Sequence, residues 1–364
     1  AYAANITNDA DMKLNRQYQG EVRIVRALAY YRLAQMYGAV TILRSNDQAD
    51  MRRSSRDAVL RYVLDDLQYA IDNCPRLRPN EMTYPGQFTA YTAEALAAKA
   101  ALILGDYAKV ETLTNDIISS NKFRLYNDYY DLFKIPGKLC DESLMECQST
   151  YFGMGSGDAV TVDQFFNCAG PALSNPTLGR TFGGWNFVGY TDSFQAWVAA
   201  RNETVRAETS FLRGGSTTRY GDVVGMPGNA QNTDCWNGKW YVPIEQVIDG
   251  RNTYGGDNNV RIIRYAEVLL MNAEALVRQG KSGDAPFNEV RRRADMPALT
   301  GVTLDQIIDE RRMELCCEWG VRYEDLLRTD KANTLEGWSA DKAYFPVPAD
   351  HLNDYPELKE DPID

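Results

Sequence analysis

Trp185 stands in GGWNFVGYTD, where flanking glycines remove neighbouring side chains and leave an indole free to offer a flat face. Asn186 and Tyr190 follow closely enough to hydrogen-bond hydroxyls. Trp236 and Trp240 in DCWNGKWYV, and Tyr220 in TTRYGDV, repeat the pattern. The chemistry this suits is sugar stacking: the C–H-rich face of a pyranose lies on an aromatic ring while equatorial hydroxyls find polar partners, and no catalytic group is needed. The same aromatics also suit small satellite cores beneath long loops, and the residues alone leave both readings open.

Other chemistries lack their parts. A single histidine, His351, in a Pro-rich tail leaves nothing from which to build a proton shuttle or a metal cluster. The seven cysteines show no C-x-x-C spacing, which removes zinc ribbons and thioredoxin-type sites. DGRNTYGGDNN at 249–259 misses the calcium-loop spacing, and GMGSG at 153–157 is not followed by G-K-[ST]. No cofactor and no metal are expected, and no carboxylate pair stands out as the acid and base of a glycosidase. A net charge of −11 argues against nucleic acid and fits a neutral or basic ligand better than a polyanion. No apolar run approaches the ~18–20 residues of a membrane span.

The elements that must position these residues are mostly helical. Residues 54–73 place Val59, Leu60, Val63, Leu64, Leu67 and Ile71 on one helical face, with Ser54 as N-cap and Pro75 as terminator. Residues 20–37 are apolar on more than one face, as in a helix packed between neighbours deep in a core. Residues 92–120 read as a helical hairpin turning at Gly105-Asp106, and A-E-A-L at 93–96 recurs at 273–276 before a second turn at 281–283. Two such units suggest a diverged tetratricopeptide-like scaffold, or simply two α-hairpins. The segment 131–257 differs, holding 18 of the 27 glycines and four of the six tryptophans, so binding loops are expected there. Trp197 in SFQAWVAAR is read as packing, and Cys316 and Cys317 as buried on a continuing helix. Three parts result: 1–130, a helical N-terminal part; 131–257, an aromatic- and Gly-rich insert; and 258–364, a helical part packing back on the scaffold.

Several stretches, taken in order, resemble the SusD/RagB family of surface glycan-binding lipoproteins. They are the opening helix Gly20-Glu21-Val22-Arg23-Ile24-Val25-Arg26-Ala27-Leu28-Ala29-Tyr30, RYAEVLLMNAEALVRQG at 264–280, DERRMELCCEWGVRYEDLLR at 309–328, and the tail Pro346-Val347-Pro348. The resemblance implies a mostly α, tetratricopeptide-like fold with a loop-rich insert, and a non-catalytic binding protein. It implies capture of an oligosaccharide at the outer membrane surface and its delivery to a SusC-like TonB-dependent transporter. Membrane contact would run only through an N-terminal lipid of the full precursor, absent from this chain. Family members carry several tens of residues before the opening helix, where about 19 stand here, so part of the ligand site is expected to be missing. Peptide uptake in the manner of RagB, or a helical scaffold for protein partners, are the alternatives. Within the 309–328 motif, Glu310, Arg311, Arg312 and Glu314 are spaced for i,i+3 and i,i+4 ion pairs that clamp the scaffold.

Overall fold

A computed structural model describes residues 6, 8–149, 165–226, 233–249, 256–319 and 321–364; GMGSG at 153–157, residues 250–255 and Gly320 lie outside the described residues. The chain opens with four helices, α1 (Asp9–Tyr37), α2 (Arg56–Asn73), α3 (Ala90–Ile103) and α4 (Tyr107–Ser119). Each packs on the next, the helix-on-helix stacking of tetratricopeptide repeats. Local chemistry sets their ends. The Ser55 hydroxyl oxygen accepts from the Ala58 amide at 3.2 Å to cap α2. The cap thus falls one residue after Ser54, whose own N–H bonds the Val40 carbonyl at 2.9 Å. Gly105 turns the α3–α4 hairpin at φ 73°, which a side chain would resist, and Asp106 caps α4.

One expectation is corrected at α1. It buries Ile24, Ala27, Tyr31 and Ala34 on one face. The helical repeat puts Leu14, Tyr18, Val22, Val25, Leu33 and Met36 on the opposite face, where they stay 38–68% exposed. Among the described residues, only one apolar face of this helix is covered.

Next come β1 (Ser143–Cys147), α5 (Phe165–Ala169), β2 (Leu173–Asn175), β3 (Arg180–Phe182), α6 (Asp192–Ala200) and α7 (Val205–Ser210). They are followed by β4 (Phe211–Arg213), β5 (Val223–Val224), β6 (Cys235–Asn237) and β7 (Val260–Arg264). Helices α8 (Tyr265–Arg278), α9 (Asp284–Arg293), α10 (Leu304–Glu314), α11 (Val321–Arg328) and α12 (Ala349–Asp354) complete the chain. The fold is mostly α-helical, and among the described residues every strand lies between Ser143 and Arg264.

The chain divides into two compact units, Ala1–Lys122 with Met271–Gly283 and Gly320–Asp364, and Phe123–Leu270 with Asp284–Trp319. In the first, Arg26 grips Asp66 through two bonds of 2.7 Å, Asn272 donates to Thr114 Oγ1 at 2.9 Å, and Arg56 meets Glu324 at 2.6 Å. Arg328 is held by both Glu274 and Asp325.

In the second unit the strands form three small antiparallel sheets, β1-β7, β3-β2-β5 and β4-β6. Its interior buries charge. Arg206, fully enclosed, reaches Glu310 at 2.6 Å and Glu203 at 2.6 Å. Arg264 bonds Glu142 and Glu318, Arg293 bonds Glu142 and Glu314, and Lys239 bonds Glu318 at 2.7 Å. Burial opposes ionisation of Glu314, but Arg293, Arg264, Arg206 and Lys239 outweigh it and hold the carboxyl down at about 2. Glu310 and Glu314 therefore face cations from other elements rather than neighbours on their own helix. That helix also stops earlier than its sequence suggests: α10 ends at Glu314, and Cys317 takes φ 53°, which a continuing helix excludes.

Candidate functional site

The segment 183–190 lies on the end of α5 and is held by main chain. The amides of Trp185 and Asn186 donate to the carbonyls of Asn167 and Gly170 at 2.9 Å, and the Phe187 amide donates to Cys168 at 3.1 Å. Close approach demands glycine at position 184, because a Cβ there would fall 2.2 Å from the Pro171 carbonyl oxygen. Asn186 adopts φ 61°, which asparagine tolerates better than most residues and which turns the chain between Trp185 and Phe187. The product is a fixed aromatic lip. Trp185 is 43% exposed and Phe187 71%, their ring centroids 5.6 Å apart, with exposed Val188 beside them in sequence.

The six residues singled out by sequence separate into three environments. Trp185 and half-buried Asn186 lie on the lip. Trp236 is corrected: it is fully buried on β6, paired through Leu212 of β4, in a cluster with Tyr130, Phe166, Phe182 and Tyr241, so neither indole face is open. Tyr220 and Trp240 pack against that cluster from its edge. Tyr220 stacks on Tyr130 at 6.2 Å and donates its hydroxyl to Asp131 at 2.8 Å; burial and that carboxylate push its phenol up. Tyr190 is corrected likewise, being 6% exposed, stacked on Phe194 at 5.4 Å, its phenol pushed up by burial. Beyond Phe194 the ring of Trp197 carries the guanidinium of Arg312 at 4.2 Å, a packing role. Sequence reasoning passed over Phe187 and Val188, although the run W-N-F-V inside a glycine frame carried the signal.

A cavity of about 430 Å³ lies on the three-stranded sheet, lined by Leu173, Ser174, Thr181, Phe182, Gly183 and Val223 among others. Gly183 belongs to this lining, and Trp185 follows two residues later. Among the described residues, the lining carries hydroxyls and apolar surface and no titratable side chain. Behind it Asp222, fully buried, accepts from Tyr241 Oη at 2.5 Å, Asn175 Nδ2 at 2.7 Å and the Ile244 amide at 2.9 Å, which ties β2 and β5 to the aromatic cluster. Such a site can stack and hydrogen-bond an uncharged ligand, and it holds no group poised for proton transfer.

Comparison with known proteins agrees with this architecture. A profile of the SusD family matches residues 119–345, well over half of the chain. The SusD-like protein P38 of Formosa agariphila is 28% identical over 94% of this chain and 73% of its own length. A SusD-like protein of Bacteroides ovatus is 26% identical over 84% of this chain and 57% of its own. Among solved structures, a laminarin binding SusD-like protein superposes with a TM-score of 0.83 at 23% identity, covering 98% of this chain and 80% of the other. Surface glycan-binding protein A from Bacteroides thetaiotaomicron, in complex with laminarihexaose, gives 0.80 at 22% identity over 97% and 79%. At such identities the solved structures speak for the fold. Fold, ordered motifs and family profile coincide, and the chain belongs to the SusD family.

Proposed function

We propose that the protein captures a neutral oligosaccharide at the outer face of the outer membrane and passes it, unmodified, to a SusC-like TonB-dependent transporter. The observation that carries this reading is the exposed Trp185–Phe187 lip, set by backbone hydrogen bonds and following closely in sequence on Gly183 of a cavity whose described lining has no titratable side chain. An aromatic plane next to hydroxyl-bearing surface suits a pyranose, and the lack of a carboxylate pair in that lining favours binding without cleavage. The laminarihexaose complex of a structural relative supports the same ligand class. No described helix is long and apolar enough to cross a membrane, which is consistent with tethering through a lipid on the precursor.

Titration of neutral β-glucan oligosaccharides by calorimetry tests the reading, with reducing ends assayed in the same samples. Binding should weaken by about tenfold or more in Trp185→Ala, the loss expected for one stacking face, with no new reducing ends. Undiminished binding in that variant, or peptides co-purifying in place of glycans, would move the site or the ligand class elsewhere.

A further inference from the structure

A second cavity in the same unit, about 450 Å³, lies among α6, α7, β4 and the turn at 216–219, with Tyr130, Gln195, Phe211, Arg213, Thr217 and Arg219 in its wall. Unlike the cavity by the lip, it is lined by charges, and their bookkeeping is uneven. Glu203 is taken up by Arg201 and Arg206, and Arg219 by Glu208 and Asp128. Arg213 has no carboxylate among the described residues; its guanidinium lies 5.1 Å from the Phe211 ring centroid and donates from Nη1 to Gln195 Oε1 at 2.8 Å. In this it differs from Arg180, Arg201, Arg206, Arg219, Arg264 and Arg293 of that unit, each of which meets an acid.

We propose that this cavity is a second saccharide site, one that takes a sugar bearing a single anionic group, carboxylate or sulfate ester. The volume lies in the range of small-molecule sites. A guanidinium oriented by an aromatic face and one amide keeps the rest of its fork for a two-oxygen acceptor, the geometry that carboxylate and sulfate share. Hydroxyls complete the set: Ser216 Oγ donates to the Arg213 carbonyl at 2.6 Å and so presents its oxygen as an acceptor, and Thr217 lines the wall nearby. One cation suits one anion. The chain's net charge of −11 repels polyanions at long range, which favours a ligand with a single anionic group. The site is separate from the neutral-glycan lip and does not depend on it.

The test titrates three ligands by calorimetry into the whole protein: a neutral β-glucan oligosaccharide, a glucuronate-containing disaccharide, and a singly sulfated disaccharide. Wild type, Arg213→Gln, Arg213→Lys and Trp185→Ala are compared at low and high salt. Arg213 is exposed, so its replacements should leave the fold intact. At least one anionic ligand should bind, lose about tenfold or more in Arg213→Gln, and be partly restored in Arg213→Lys, because lysine keeps charge but not the fork. Neutral glucan should ignore both Arg213 variants and respond to Trp185→Ala, and anionic binding should do the reverse. The carboxylate and sulfate arms decide which anion is preferred. No binding of either anionic ligand, equal binding of neutral and anionic sugars, or affinity unchanged in Arg213→Gln overturns the proposal. None of these results bears on the lip, whose own failure shows as neutral glucan unaffected by Trp185→Ala.

Discussion

In the first unit α3 buries seven alanines, and small side chains let it lie against α2 and α4. In the second unit the comparable interior position is filled by Arg206, Arg264, Arg293 and Lys239 facing Glu142, Glu310, Glu314 and Glu318. Apolar helices pack wherever their faces match and tolerate substitution of similar shape. Buried ion pairs add little net stability over an apolar core, yet each charge left alone is costly, so they admit few alternative arrangements of the loops they join. The unit with the loop-borne candidate sites is the one held in this second way.

The largest expected effect breaks that network. Glu314→Ala takes one shared carboxylate from Arg206, Arg264 and Arg293, leaves the buried network one negative charge short, and should cost about 3–5 kcal/mol in urea unfolding, as removal of one partner of a buried pair does. Leu96→Ala in α3 of the first unit should cost about 2–4 kcal/mol by cavity formation alone, with a loss that does not depend on pH.

Acid and base titration sharpens the contrast. Glu314 has its folded pKa depressed to about 2, so its contribution is present above the unfolded carboxyl value near 4.3 and disappears as pH falls toward 2. Glu94 in α3 has the opposite sign, because burial outweighs its bond to Arg76 and lifts it to about 7. The native state there binds a proton that the unfolded chain has released, so stability falls as pH rises from about 4.5 to about 7. Glu94→Gln should remove that slope and stabilise the protein at pH 8 by on the order of 2 kcal/mol, measured as the pH dependence of the urea midpoint. A slope unchanged by the substitution would place the titrating group elsewhere.

The smallest effect belongs to the open face of α1. Val22→Glu with Val25→Glu should shift stability by only about 0.5 kcal/mol, because both side chains are exposed, while Ile24→Ala between them should cost several-fold more. Equal losses at the two faces would show that the outer stripe is covered in solution.

The helices were legible because their signals are local. A-E-A-L spacing, Gly105 and Asp106 mark the α3–α4 hairpin within a few residues of one another. The ion network was not legible, since Arg264 lies 122 residues from Glu142 and 54 from Glu318, and nothing near any of the three announces the others. The candidate site shows the same divide. Trp185 and Trp236 each precede an asparagine and stand near glycines, yet pairing of β6 with β4 buries one and hydrogen bonds onto α5 expose the other. Local composition found the region; strand pairing, which is non-local, decided which ring met solvent.

The lip's position is written in main-chain hydrogen bonds to residues 167–170, with Gly184 and Gly189 constrained by shape, since a Cβ at 189 would fall 2.1 Å from Thr233 Cγ2. The exposed side chains at 187 and 188 are therefore cargo rather than structure. Mutational drift at these two positions can retune what the surface grips without a refolding cost, so specificity here is open to rapid divergence while the scaffold beneath it stays fixed.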